Sequence, residues 1–99
     1  SLNMLGRCYE NGWGCLQDMT QAIAWYRRSA EAGDFRGQYR YGQLLVDQGL
    51  LDDALALLRL AVDNTPAHMC AEMADTFLNH AEPKLHEIGL RAQARASTS

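Results

Sequence analysis

The chain is short of proline and of cysteine, and it has no long apolar run. Only two of its 99 residues are proline, Pro66 and Pro83. With alanine, leucine, glutamine, glutamate and arginine plentiful, that composition favours helix throughout. The three cysteines are an odd number without metal-type spacing, which argues against a disulfide framework and against structural zinc. Cys8 and Cys70 fall at apolar helix positions. Cys15 falls in a loop, where pairing with Cys8 is the one bridge left open. Nine basic residues against twelve acidic give a net charge of -3, so nothing draws the chain to phosphate and a nucleic-acid role is disfavoured. No segment approaches the roughly 20 apolar residues of a membrane span, and no signal peptide is visible. No serine stands in a nucleophile-elbow context, and Gly12-Trp13-Gly14 reads as a turn rather than a phosphate cradle. Reduced thiols fit a cytoplasmic chain. Ser1 already lies inside a helical pattern, which reads as a cut from a longer protein, and a leader before it would make the protein an exported one.

What is present is a repeat. Leu5 to Gly33 reads as two amphipathic helices joined by a glycine-bracketed turn, and the pattern begins again at Tyr41-Gly42. Six helices in three pairs are expected. The first runs from about Ser1 to Asn11 with Leu2, Leu5 and Tyr9 inward, Gly6 allowing close approach and Gly12 as its left-handed cap. Asp18 caps the second, with Gln21 as the partner of a capping box; Met19, Ala22, Ile23, Tyr26 and Ala30 face in, and Gly33 ends it. Asp34 opens the third, where Gln38, Tyr41, Leu44 and Leu45 face neighbours and Gly42 repeats the role of Gly6. Gly49 closes that helix. The fourth starts near Asp52 as cap and carries Ala54, Leu55, Leu58, Ala61 and Val62. Thr65 as N-cap with Pro66 at the first position starts the fifth, which buries Cys70, Met73, Ala74 and Phe77. The sixth, weaker and more polar, begins around Glu82-Pro83 with Leu85, Ile88 and Ala92 inward, and Ala96 to Ser99 read as a frayed tail.

Gly6 and Gly42 are 36 residues apart, Gly42 and Ala74 are 32 apart, and the difference of four sits in the loop from Gly12 to Gln17. Units of this length cannot bury their apolar faces alone and must stack. Leu5-Gly6, Tyr9, Asn11-Gly12, Gly14, Asp18, Ala22, Trp25-Tyr26, Ala30 and Gly33 resemble the Sel-1-like repeat, a relative of the tetratricopeptide repeat. The resemblance runs on into Gln38-Tyr39 and Gly42; Cys15 departs from it, where the family usually has valine or similar. It implies an all-α fold, an α-α superhelix of stacked antiparallel helix pairs in a single domain. Residues 1–33 would be a Sel-1-like repeat, 34–65 a tetratricopeptide-like repeat, and 66–96 a degenerate repeat or cap. It further implies an adaptor or scaffold module that is not an enzyme and needs no cofactor.

In such repeats the first helix of each pair lines the concave surface. Carried over by register, that places Asn3, Arg7, Glu10 and Asn11, then Arg36, Tyr39, Arg40, Gln43 and Asp47, then His68, Ala71, Asp75 and Asn79 on one face. Arginines in this row would read a carboxylate of a peptide or protein partner bidentately. The alternatives are a solvated face, and a spacer or self-association unit that uses the apolar N-terminal end around Leu2, Leu5 and Tyr9. Trp13, between two glycines, is either a loop anchor for a partner or folded over Leu16; Trp25 is expected to pack on a neighbouring repeat. His68 and Cys70 point about 200° apart on a helix, and His80 and His86 lie in different helices, so no metal site is expected.

Overall fold

A computed structural model describes residues 2–97, so the expected helical start at Ser1 falls outside the described residues. Six α-helices follow one another: α1 (Leu2–Asn11), α2 (Met19–Glu31), α3 (Phe35–Asp47), α4 (Leu51–Asn64), α5 (Cys70–Leu78) and α6 (Lys84–Ser97). A 3-10 turn, Ala67–Met69, precedes α5, and no strand occurs among the described residues. The fold is all-α, built from stacked antiparallel helix pairs.

The helix ends follow mainly from local chemistry. Asp18 accepts from the backbone N–H groups of Thr20 and Gln21, and Asp34 accepts from that of Arg36, which satisfies orphan donors at the starts of α2 and α3. Gly12, Gly33 and Gly49 all take positive φ where a helix stops. Three expectations at helix ends fail. Leu50, not Asp52, precedes α4, leaving Asp52 and Asp53 in its first turn, where their charges favour the helix dipole. Thr65 is not an N-cap: its buried hydroxyl donates to the Ala61 carbonyl at 2.6 Å and closes α4 instead. The last helix holds through Ala96 and Ser97 rather than fraying, while Thr98 and Ser99 lie outside the described residues.

Each helix pair closes where a glycine lets a large side chain lie against backbone. A Cβ at Gly6 would stand 2.8 Å from the Tyr26 ring, one at Gly42 2.5 Å from Leu58, and one at Gly89 2.8 Å from Leu78. Tyr26 and Leu58 are repeat equivalents, as Gly6 and Gly42 are; in the third pair the glycine has moved to the second helix. Gly37 plays the same role between pairs, with Ser29 Cβ only 2.4 Å and the Ala30 backbone nitrogen 2.9 Å from where its own Cβ would be. Centring α1 on Gly6 changes its inward face. Asn3 is buried, whereas Leu5 and Met4 are 40% and 49% exposed. Met19, expected inward, is 39% exposed.

Ala22, Tyr26 and Leu44 form a small core with Tyr9 and Ile23 around it. A larger one runs from Leu45 through α4, α5 and α6, and Tyr41 packs against both. The third pair does not continue the stack in register. Where α2 packs on α3, α4 packs on α6 rather than α5 among the described residues. Two bidentate ion pairs mark this contact, Arg59 with Glu87 at 2.8 and 3.1 Å and Arg91 with Asp63 at 2.9 and 2.7 Å. Arg95 adds a bond to the Thr65 carbonyl at 2.8 Å. Partners advance together along the two helices, so α4 and α6 run parallel.

Two outcomes are expected. Gly37→Ala should cost about 1–3 kcal/mol in urea unfolding, because the methyl meets backbone as well as Ser29; an unchanged midpoint would contradict this crossing. Salt bridges to Arg91 and Arg59 hold the Asp63 and Glu87 carboxyls below their usual range. Their contribution is therefore complete above the unfolded carboxylate value, near pH 4, and is lost as pH falls through the lowered folded values. Thermal unfolding followed from about pH 6 to pH 3 should show a shallower acid loss in an Asp63→Asn/Glu87→Gln double variant than in the parent.

Candidate partner-binding groove

One cleft, with a volume of about 610 Å³, lies between the α1–α3 side of the molecule and the start of α5. Asn3, Arg7, Glu10 and Asn11 reach it from α1; Phe35, Arg36, Tyr39, Arg40 and Gln43 reach it from α3. Tyr26 and Thr65 come from the second helices of their pairs, and Met69, Glu72, Met73 and Thr76 form the far wall.

Glu10 is the node of this cleft. Tyr26, fully buried as a residue, donates its phenol O–H to Glu10 Oε1 at 2.8 Å. Burial raises the Tyr26 pKa, opposed by the Arg7 charge, so the phenol stays a neutral donor. Arg40 crosses from α3 to make a bidentate ion pair with the same carboxylate, its Nε at 3.1 Å from Oε1. Its guanidinium lies 6.0 Å from the Tyr26 ring centroid. Burial lowers the Arg40 pKa and the Asp47 charge raises it. The Glu10 carbonyl takes the Gln17 amide at 2.7 Å, which fastens the loop after α1 to the same residue. Gln38, also buried, does similar work deeper in: its amide oxygen accepts from Asn64 at 3.0 Å and its amide nitrogen donates to the Ala30 carbonyl at 3.4 Å.

The expected concave row is thus only partly assembled. Asn3, Arg7, Glu10, Asn11, Arg36, Tyr39, Arg40 and Gln43 share the cleft, with Asn3 buried in its wall rather than presented outward. Arg40 is engaged by Glu10, and Arg36 by Asp34 at 3.0 and 3.1 Å, so neither guanidinium stands unpaired as the row implied. Asp47 lies beyond one end, near His80 and Phe77. His68 and Asp75 do not line the cleft; nor do Ala71 and Asn79. Their places are taken by Met69, Glu72 and Thr76, on the other flank of the α5 core face. The 3-10 turn explains part of the shift, since it advances roughly 120° per residue against roughly 100° in an α-helix. Docking the third pair through α6 rotates α5 further. The sequence signal that existed was the run Met69, Glu72, Met73, Thr76 at helical spacing.

The remaining candidates are placed as follows. Trp13 is 52% exposed under the Arg7 guanidinium, 5.7 Å from the ring centroid, and leaves Leu16 89% exposed rather than covering it. Trp25 is half-buried with Arg28 stacked at 5.0 Å. All three cysteines are free thiols; Cys15 Sγ approaches the Cys8 carbonyl at 3.7 Å. His80 Nδ1 accepts from the Glu82 N–H at 3.0 Å, and His86 Nε2 lies 2.8 Å from the His80 carbonyl, which ties the turn before α6. No group of three or more His, Cys, Asp or Glu gathers as a metal site among the described residues, and no described helix is long and apolar enough to cross a membrane.

Helix pairs that stack through glycine contacts and leave a cleft along their first helices define an α-α repeat protein. Residues 1–34, which span the first helix pair, match the family described as Sel1 repeat. Repeats of this family generally mediate protein–protein interaction and are typically non-catalytic. No curated protein and no solved structure matches the chain.

The Tyr26–Glu10 bond is testable without knowledge of a partner. Tyr26→Phe keeps the ring against Gly6 and removes only the donor, so unfolding free energy should fall by about 0.5–1.5 kcal/mol, the usual net worth of one such bond. A Tyr26→Phe protein as stable as the parent would mean that the Glu10 node is not formed.

Proposed function

We propose that the chain is a non-catalytic adaptor or scaffold module that holds a segment of a partner protein in the cleft between α1, α3 and α5. The observation that carries this reading is the cleft's composition. Phe35, Tyr39 and Met69 offer apolar and aromatic surface, and Arg7, Arg36, Gln43 and Glu72 stand among them. A few rigid aromatic anchors within a polar rim are the usual makings of a binding hot spot, and a groove of this kind takes extended or helical segments. In this reading 34–65 form a tetratricopeptide-like repeat that completes the groove wall. Residues 66–96 form a closing pair whose α6 covers the stack.

Peptides selected from a random display library on the purified chain provide the ligand for a test. Arg36→Ala with Tyr39→Ala should weaken the selected peptides by at least about tenfold, the loss expected from removing an aromatic anchor. Circular dichroism should report an unchanged helix content. Affinities indifferent to the double change would place binding elsewhere and overturn the assignment of the groove.

A further inference from the structure

The charges of the cleft do not cancel evenly, and the remainder specifies an occupant. Arg40 is spent on Glu10 and Arg36 on Asp34. On the α1 side Arg7 makes no ion pair among the described residues. Its guanidinium rests on the exposed Trp13 ring, an arrangement that restrains the long side chain while leaving its charge unneutralised. On the α5 side Glu72 likewise makes no ion pair among the described residues, only its backbone carbonyl accepting from Thr76 at 3.1 Å. Phe35 and Tyr39 of α3 lie between these two walls, and Met69 and Met73 stand beside Glu72 in the far one. The exposed Met69 makes an adaptable apolar surface backed by the buried Met73, whereas the Tyr39 ring is braced edge-on by Phe77 at 5.6 Å.

Resting on the reading of this cleft as a partner groove, we propose that its occupant is a short peptide segment with an acidic residue toward Arg7, a basic residue toward Glu72 and an apolar or aromatic side chain between them. The two unpaired charges have opposite sign and stand on opposite walls, so they favour one orientation of such a segment and oppose its reverse. A segment acidic at both ends meets repulsion from Glu72, and one basic at both ends meets it from Arg7. Misplaced like charges of this sort supply discrimination more than affinity.

The display selection on the 99-residue chain tests this through the sequences it returns and through charge exchange. Selected peptides should carry acidic and basic residues in a constant order about an apolar position. Measured by fluorescence anisotropy, Arg7→Glu and Glu72→Lys should each weaken a selected peptide by about tenfold or more. Each loss should be recovered when the facing peptide residue is reversed in sign. Both side chains are exposed, and circular dichroism should show the parent helix content in both variants. Selected sequences without charge order, or charge reversals that no peptide change repairs, overturn the proposed polarity. Where such peptides still need Tyr39, the groove itself stands. Binding that ignores the Arg36→Ala/Tyr39→Ala change, or a library that yields no binder, overturns the groove and this proposal with it.

Discussion

The missing side chain at Gly6 governs the first two units of this molecule. Without a Cβ there, the Tyr26 ring lies directly on the α1 backbone, and its phenol reaches Glu10, one turn further along the same helix. Glu10, held by that bond, is positioned to take Arg40 from α3 and to fasten the following loop through Gln17. A close packing contact between two helices is thereby converted into a polar link across three. The Glu10 and Arg40 side chains keep roughly 18% and 31% of their exposure, as befits a cleft wall rather than a sealed core. The pair is partly desolvated, and its weight lies in register as much as in energy: it sets how far α3 stands from α1, and so how wide the cleft opens.

The third pair obeys a different constraint. Thr65 and Pro66 stop α4, and the 3-10 turn that follows sends α5 away from α4. Arg59, Asp63 and Thr65 then meet Glu87, Arg91 and Arg95 in sequence along α6. Exposed ion pairs of this kind contribute little stability singly. Two of them and the Arg95–Thr65 hydrogen bond, all agreeing on one register, still penalise a slipped packing. The cleft exists because α6, not α5, occupies the stacking position on α4, which leaves the start of α5 free to face α3 across a gap floored by Tyr26 and Thr65.

Much of this was legible in the residues and some of it was not. Helical periodicity and glycine caps identified six helices, and spacing alone paired Gly6 with Gly42, both of which meet the large residue expected of a repeat. The buried faces of α4, α5 and α6 were likewise readable, because Leu58, Phe77 and Ile88 sit at the centre of unbroken apolar stripes. The differences arise where non-local contacts override a local pattern. Polarity read as exposure puts Asn3 and Arg40 outward, although Asn3 is buried and Arg40 half-buried; Arg36 is exposed as that reading has it, but paired with Asp34. Yet Glu10 and Arg40 are 30 residues apart, and no local pattern announces that two charges will meet. Thr65 followed by proline carries the local signature of a helix start, and only the buried Ala61 carbonyl shows that its hydroxyl points backward. His68 and Asp75 fall outside the cleft for a separate reason: repeat arithmetic assumes a constant rotation per residue, and a three-residue 3-10 turn breaks that assumption.

These two constraints meet in the electrostatics of the cleft. Had every charge lining it remained unpaired, the groove would carry three guanidinium groups against two carboxylates and would favour acidic ligands in general. Glu10 removes Arg40 from that sum because Tyr26 has fixed it in place, and Asp34 removes Arg36 because the same carboxylate caps α3. Helix capping and interhelical packing, both demanded by the fold, thus strip the groove of most of its charge and leave Arg7 and Glu72 on opposite walls. The charge pattern of the cleft is therefore a by-product of how the fold satisfies itself: a helix cap, Asp34, and a packing residue, Tyr26, decide which charges are left over.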